Sequence, residues 1–183
     1  ETERVHPTDY RGVNNVGYCY MLQNKLDEAA AQFTKANTIQ DNPISTNNLG
    51  VVARLKGDRK KATELYTKAT AAGPEVKYNQ GLINIQNGDY ASASSNMGST
   101  KSFNAALAKM LGGDAAGAQA ILDGSTDKDS AMGHYLAAII AARQTNCDGV
   151  RSHLGMAVQK DAALREKAMK DLEFRNCKDN LGL

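Results

Sequence analysis

Residues Gly12 to Ala36 read GVNNVGYCYMLQNKLDEAAAQFTKA, and residues Ser45 to Ala69 read STNNLGVVARLKGDRKKATELYTKA. Aligning the two pairs Asn15 with Asn48, Gly17 with Gly50, Ala29 with Ala62, Phe33 with Tyr66 and Ala36 with Ala69, always 33 positions apart. A fixed period of this size marks a supersecondary unit that buries its apolar face by stacking on copies of itself. Each unit divides at a turn, Gln23-Asn24-Lys25 in the first and Lys56-Gly57-Asp58 in the second. Apolar residues on both sides recur at helical spacing: Val13, Val16 and Tyr20, then Ala29, Phe33 and Ala36. Each unit is therefore expected to be a helical hairpin.

The composition agrees. The chain has 183 residues, is 42% hydrophobic but only 5% aromatic, and has no Trp, so its core must be built from Ala, Leu, Ile, Val and Met. Such a composition favours helix, since Ala gives up no side-chain entropy there. Gly17 and Gly50 fall in mid-helix, where glycine costs about 1 kcal/mol relative to alanine. That cost is understandable if the second helix of each hairpin must approach the first closely. Ala29 and Ala62 are expected to be the facing small residues, with Phe33 and Tyr66 filling the space beside them.

This pattern resembles the tetratricopeptide repeat family, whose motif sets Leu-Gly, a ring, a turn, and then Ala, an aromatic, Ala and Pro at fixed steps. The second unit carries Leu49-Gly50, Gly57, Ala62, Tyr66, Ala69 and Pro74; the first carries Val16-Gly17, Tyr20, Ala29, Phe33 and Ala36, with Asp41 where Pro is usual. A third follows in Tyr78-Asn79-Gln80-Gly81, Asn87-Gly88-Asp89-Tyr90 and Ala93. A fourth, around Phe103-Asn104-Ala105-Ala106 and Ala118, comes only 25 positions on, and the shortening falls in the Ser-rich stretch 91–100, whose helix is expected to be short or irregular. A fifth, His134 to Lys160, lacks the Gly and aromatic landmarks.

The expected units are 9–42, 43–74, 75–101, 102–128 and 129–161, within one repeat domain over 1–183. A capping helix over 162–177 closes it, with Leu164, Ala168 and Leu172 on one stripe. At the front, His6-Pro7-Thr8-Asp9 is similar to a linker between repeats, with Thr8 or Asp9 as N-cap, so the array is expected to be cut from a longer chain. The fold the resemblance implies is all-α, an α-solenoid forming a right-handed superhelix of antiparallel helical hairpins.

Net charge +2 exerts no general pull toward nucleic acid or anionic membrane. The longest apolar run, Tyr135 to Ala142, is too short to span a bilayer. His6, His134 and His153 are far apart, without the spacing zinc enzymes use. Gly112 to Gly117 lacks the Lys-Ser/Thr of a phosphate-binding loop. The stretch Asp123 to Asp129 lacks the glycine and glutamate of a calcium loop and reads as a linker ending in an Asp129 or Ser130 cap. Arg54, Lys56, Arg59, Lys60 and Lys61 form the main basic cluster and read as a solvated turn. No catalytic residues, metal, cofactor or small-molecule substrate are expected.

Cys147 should open the second helix of unit five and Cys177 should close the terminal helix. If those helices are antiparallel, both cysteines reach the same end and a disulfide can form. A bridge would mean an oxidising compartment such as a bacterial periplasm or the exterior; two separate thiols would fit the cytosol. The repeat wording and the Asp171-Leu-Glu-Phe ending are similar to exported proteins of Bacteroidetes-type bacteria. Cys19 reads as a small packing residue.

The resemblance implies a concave groove, lined by the first helix of each hairpin, that binds a peptide or partner domain. Carried over by register, the lining would be Asn14, Asn15, Tyr18 and Met21 in unit one, and Asn47, Asn48, Val51 and Arg54 in unit two. Units three and four would add Tyr78, Asn79, Leu82 and Ile85, then Phe103, Asn104, Leu107 and Met110. The Asn15, Asn48, Asn79 and Asn104 series could hold a peptide backbone, since an amide both donates and accepts, or could simply bond between helices. The clamp that some members use for a C-terminal carboxylate is absent: its positions hold Asn14, Tyr18, Glu75 and Asn79. A non-catalytic protein-binding scaffold for an apolar ligand follows. The other reading is a structural spacer of a larger cell-envelope protein whose groove its own flanking sequence fills.

Overall fold

A computed structural model describes residues 9–183. All of its regular elements are helical: α1 (Tyr10–Leu22), α2 (Leu26–Ile39), α3 (Pro43–Leu55), α4 (Arg59–Lys68), α5 (Pro74–Gln86), α6 (Tyr90–Met97), α7 (Phe103–Leu111), α8 (Ala115–Asp123), α9 (Ala131–Arg143), α10 (Cys147–Lys160) and α11 (Leu164–Lys170), with short 3-10 turns at Thr70–Ala72 and Leu172–Asn180. Two compact units divide the chain between Asn87 and Gly88. The first holds α1 to α5 and the second α6 onward. His6 and Thr8 lie outside the described residues; Asp9 caps α1 by accepting from the Arg11 amide.

Most helix starts are written in the sequence. Asn42, Asp58, Asp89, Ser102, Asp114, Ser130 and Asn146 each accept a backbone N–H from the first turn of the helix they precede. The Ser-rich α6 has only eight residues. Within hairpins the chain reverses through a left-handed residue, Asn24 in the first and Gly57 in the second, at φ 58° and 85°. The same position in the fifth hairpin is Thr145, at φ 57°, a conformation a β-branched side chain rarely takes.

In the first unit α1 packs on α2 and α3 on α4, and α2 lies against α3. The close approach occurs at the two glycines, but its partner differs from the expected one. A Cβ on Gly17 would stand 2.7 Å from Phe33 Cε1, and one on Gly50 would stand 2.5 Å from Tyr66 Cε1. The ring itself lies on the glycine, and Ala29 and Ala62 are buried beside it. In the second unit the equivalent positions hold Ala106 with Leu122, and Ala138 with Leu154, all buried. A methyl has been added on one helix where a ring has shrunk to Leu on the other, so the summed volume changes little.

The expected single capping helix over 162–177 is broken. Asp171 adopts an extended conformation (ψ 122°), ending α11 at Lys170, and its side chain caps the 3-10 turn through the Glu173 amide. Leu172, expected on the buried stripe, is 78% exposed, and Phe174 takes the core position instead. Four ties hold this segment to α9 and α10. Tyr135 donates to Asp171 Oδ2 at 2.8 Å, and its ring meets Phe174 edge-on. Arg143 makes two bonds to the Glu173 carboxylate at 2.9 and 2.7 Å. Cys147 is bridged to Cys177 with Cα atoms 5.3 Å apart, across a sequence separation of 30. A loop of this length contributes about 2–4 kcal/mol when closed by a disulfide.

Two measurements test these contacts. Gly50→Ala and Tyr66→Leu should each destabilise the protein by about 1–3 kcal/mol in urea unfolding. Together they should cost less than their sum, because Ala with Leu is the pairing used at 106/122 and 138/154. Alkylation with intact-mass detection should find one thiol in the unreduced protein, the exposed Cys19, and three after reduction; three before reduction would show that the bridge does not form.

Candidate functional site

The first unit presents the first helices of its hairpins, α1, α3 and α5, in sequence along one side, with α1 touching α3 and α3 touching α5. On α1, Asn14, Tyr18, Met21 and Leu22 fall on one stripe at i, i+4, i+7 and i+8; on α3 the equivalent stripe is Asn47, Val51, Arg54 and Leu55. Asparagines stitch these helices together. Asn14 Oδ1 accepts from Asn48 Nδ2 and from Ser45 Oγ, both at 3.0 Å. One repeat on, Asn47 Oδ1 accepts from Asn79 Nδ2 at 3.0 Å. Bonds of this kind between part-buried amides contribute about 0.5–1.5 kcal/mol each. The next position in the accepting series is Tyr78, which has no amide to offer.

The residues expected to line a groove thus fall into two groups. Asn14, Asn47, Asn48 and Asn79 are engaged between helices, and Asn47 is buried. Met21 and Val51 are half-buried against the cores around Phe33 and Tyr66. Tyr18 is 49% exposed and Asn15 is exposed; Leu82, Ile85 and Tyr78 are half-buried. Phe103 and Leu107 belong to the second unit, where both pack against the core around Ala106 and Met110, and Asn104 is half-buried. Two residues were missed. Leu22 and Leu55, 70% and 47% exposed, stand at equivalent ends of α1 and α3. Their 33-residue offset is visible in the sequence, but each is the last residue before a turn and falls outside the groove positions that the repeat register nominates.

Arg54 is the charged member of the α3 stripe. It lies beside the buried Tyr66 hydroxyl and draws down a tyrosine pKa that burial itself raises. Arg54 Nε and Tyr66 Oη are nonetheless both buried without a well-formed hydrogen bond. The rest of the basic cluster is partly neutralised: Lys56 pairs with Asp27, and Lys61 lies 4.0 Å from Glu64.

The second unit has an open cleft of about 640 Å³ between Gly113 and Thr145 of two turns, Arg143 at the end of α9, and the 3-10 segment Asp171–Asn176. Its charges are mixed, and Arg143 and Glu173 satisfy each other. Asp127, in the loop that glances at a calcium site, instead accepts from the Phe103 amide and from Ser125. Among the described residues no group of three His, Cys, Asp or Glu side chains is placed to hold a metal, and no helix is long and apolar enough to cross a membrane.

His134 on α9 and His153 on α10, distant in sequence, stack with ring centroids 6.0 Å apart. His153 Nδ1 is buried without a partner. Burial lowers its pKa, the neighbouring His134 lowers it further, and Asp123 opposes both.

A family model described as a tetratricopeptide repeat matches residues 10–43. Among curated proteins the chain is similar to BBSome complex member BBS4 of Bos taurus, 30% identical over 106 residues, which is 56% of this chain and 20% of that protein. The chain therefore spans about a fifth of that relative's length. Among solved structures it resembles Pseudomonas aeruginosa pilF, with a TM-score of 0.73 at 16% identity over 94% of this chain and 87% of that one. It also resembles YrrB, a TPR protein with an unusual peptide-binding site, with a TM-score of 0.63 at 18% identity over 91% and 95% of the two chains. Residues 10–43 thus match a tetratricopeptide repeat, and over most of its length the chain has the all-helical, solenoid-type fold of these TPR structures.

The histidine pair predicts a pH dependence. A His whose folded pKa lies below its unfolded value favours the folded state when neutral, so this stability is present above about pH 6.5 and is lost as pH falls through the lower folded value. Thermal melts from pH 7.5 to 5 should show Tm falling below about pH 6.5, with a shallower fall in His153→Gln.

Proposed function

We propose that this protein is a non-catalytic scaffold that binds an apolar peptide or partner domain on the α1–α3–α5 face of its first unit. One observation carries the reading: Tyr18, Leu22 and Leu55 are large, apolar and exposed on the helices that the asparagine stitches hold side by side. Apolar side chains recurring in repeat register gain most when a partner covers them. The BBSome protein is by name a complex member, and the YrrB structure is by title a peptide binder; both support the same reading. Nucleic acid, small-molecule substrate and cofactor have no part in it. The Cys147–Cys177 bridge favours an oxidising compartment, periplasmic or exported.

Because these three side chains are exposed, replacing them leaves the cores intact. Pull-down from extract of the source organism, with the native chain beside a Tyr18→Ser, Leu22→Ser, Leu55→Ser variant, should recover a partner that the variant loses. Its affinity should fall about tenfold or more. Partners held equally by both would move the interface elsewhere. No partner at all would favour a spacer whose groove is filled by flanking sequence.

A further inference from the structure

We infer that the partner segment carries an Asp or Glu side chain among its apolar residues, and that Arg54 is the residue that selects it. This rests on the α1–α3–α5 face being the binding face.

The position of Arg54 can be compared across hairpins. Its equivalent is Met21 in the first, packed in the core that contains Phe33; Met110 in the fourth, with Leu122; and Ala142 in the fifth, with Leu154. In each of these an apolar side chain meets an apolar partner. The second hairpin alone among them changes both members together, to Arg54 and Tyr66. Packing does not call for the change, since Met with Phe fills the same place in the first hairpin.

The exchange also has a cost that the fold recovers only in part, through the contact of Arg54 with the Tyr66 hydroxyl. Arg54 Nε and Tyr66 Oη are buried without well-formed hydrogen bonds, and a buried unpaired polar group is destabilising. No acid among the described residues forms an ion pair with Arg54. The remaining groove positions nominated in this unit are neutral, Asn, Tyr or aliphatic, so the face holds one fixed positive charge set among apolar groups. A guanidinium in that setting is complementary to a single carboxylate, bound through charge-assisted hydrogen bonds. A side-chain carboxylate suits it better than a chain terminus. Arg54 sits on α3, the middle of the three helices, and a terminal carboxylate would bring no second contact there, because the positions of the carboxylate clamp hold Asn14, Tyr18, Glu75 and Asn79.

The test is selection of phage-displayed random peptides, joined through their C-termini, on the full chain. Recovered sequences are then remade as C-terminally amidated peptides in acid and amide pairs, Glu against Gln or Asp against Asn. Affinities are measured on the native chain, on Arg54→Gln and Arg54→Lys variants checked for folding by circular dichroism, and on the Tyr18, Leu22, Leu55 triple variant. The acid-to-amide change is expected to cost about tenfold or more on the native chain, nothing on Arg54→Gln, and an intermediate amount on Arg54→Lys. Peptides lost on the triple variant but indifferent to both the acid and Arg54 would overturn this inference and leave the binding face standing. Peptides indifferent to the triple variant, or no peptides at all, would overturn both.

Discussion

Everything in the hairpins is set by one contact: a large side chain on the second helix resting where the first helix has little or nothing beyond its backbone. Phe33 lies on Gly17 and Tyr66 on Gly50 so closely that a single methyl would collide with the ring. The distance between the two helices follows from that contact, and with it the facing of Ala29, Ala62 and the small residues around them. A tight interior cannot take extra volume on one side without giving it up on the other. The hairpins of the second unit obey the same condition with different residues, Ala106 under Leu122 and Ala138 under Leu154.

That trade explains how far the sequence could be read. The period and its turns are visible wherever glycine and ring survive, because both are unusual inside a helix. Where the pair becomes Ala and Leu, its members vanish into a chain rich in both, though the packing persists. Cap residues remained legible, since Asp or Ser before an apolar stretch is a local signal. The C-terminal segment misled for a tertiary reason. The Leu164, Ala168 and Leu172 stripe is sound helical spacing, but Asp171 gains a buried tyrosine hydroxyl and a cap by leaving the helix. Neither Tyr135 nor Arg143 announces in sequence that it will reach a segment some thirty residues away.

The asparagines show why the fold and the proposed binding face resist separation here. Asn14, Asn47, Asn48 and Asn79 have the chemistry to hold a peptide backbone, yet their amides spend hydrogen bonds on joining one helix to the next. Each amide has more donors and acceptors than those bonds use, so the stitch orients the side chain without exhausting it. A face ordered in this way loses less entropy when a ligand arrives.

Arg54 and Tyr66 extend the logic from packing to the specificity proposed above. In three other hairpins the same two positions are apolar, and the contact only stabilises. A guanidinium and a phenol placed there add polar atoms that the interior satisfies only through their contact with each other, without a well-formed hydrogen bond. Local sequence rules broken without an internal return tend to mark sites whose return comes from outside the fold. A repeat protein is well suited to such a change, because its neighbours supply the stability that one altered hairpin gives up.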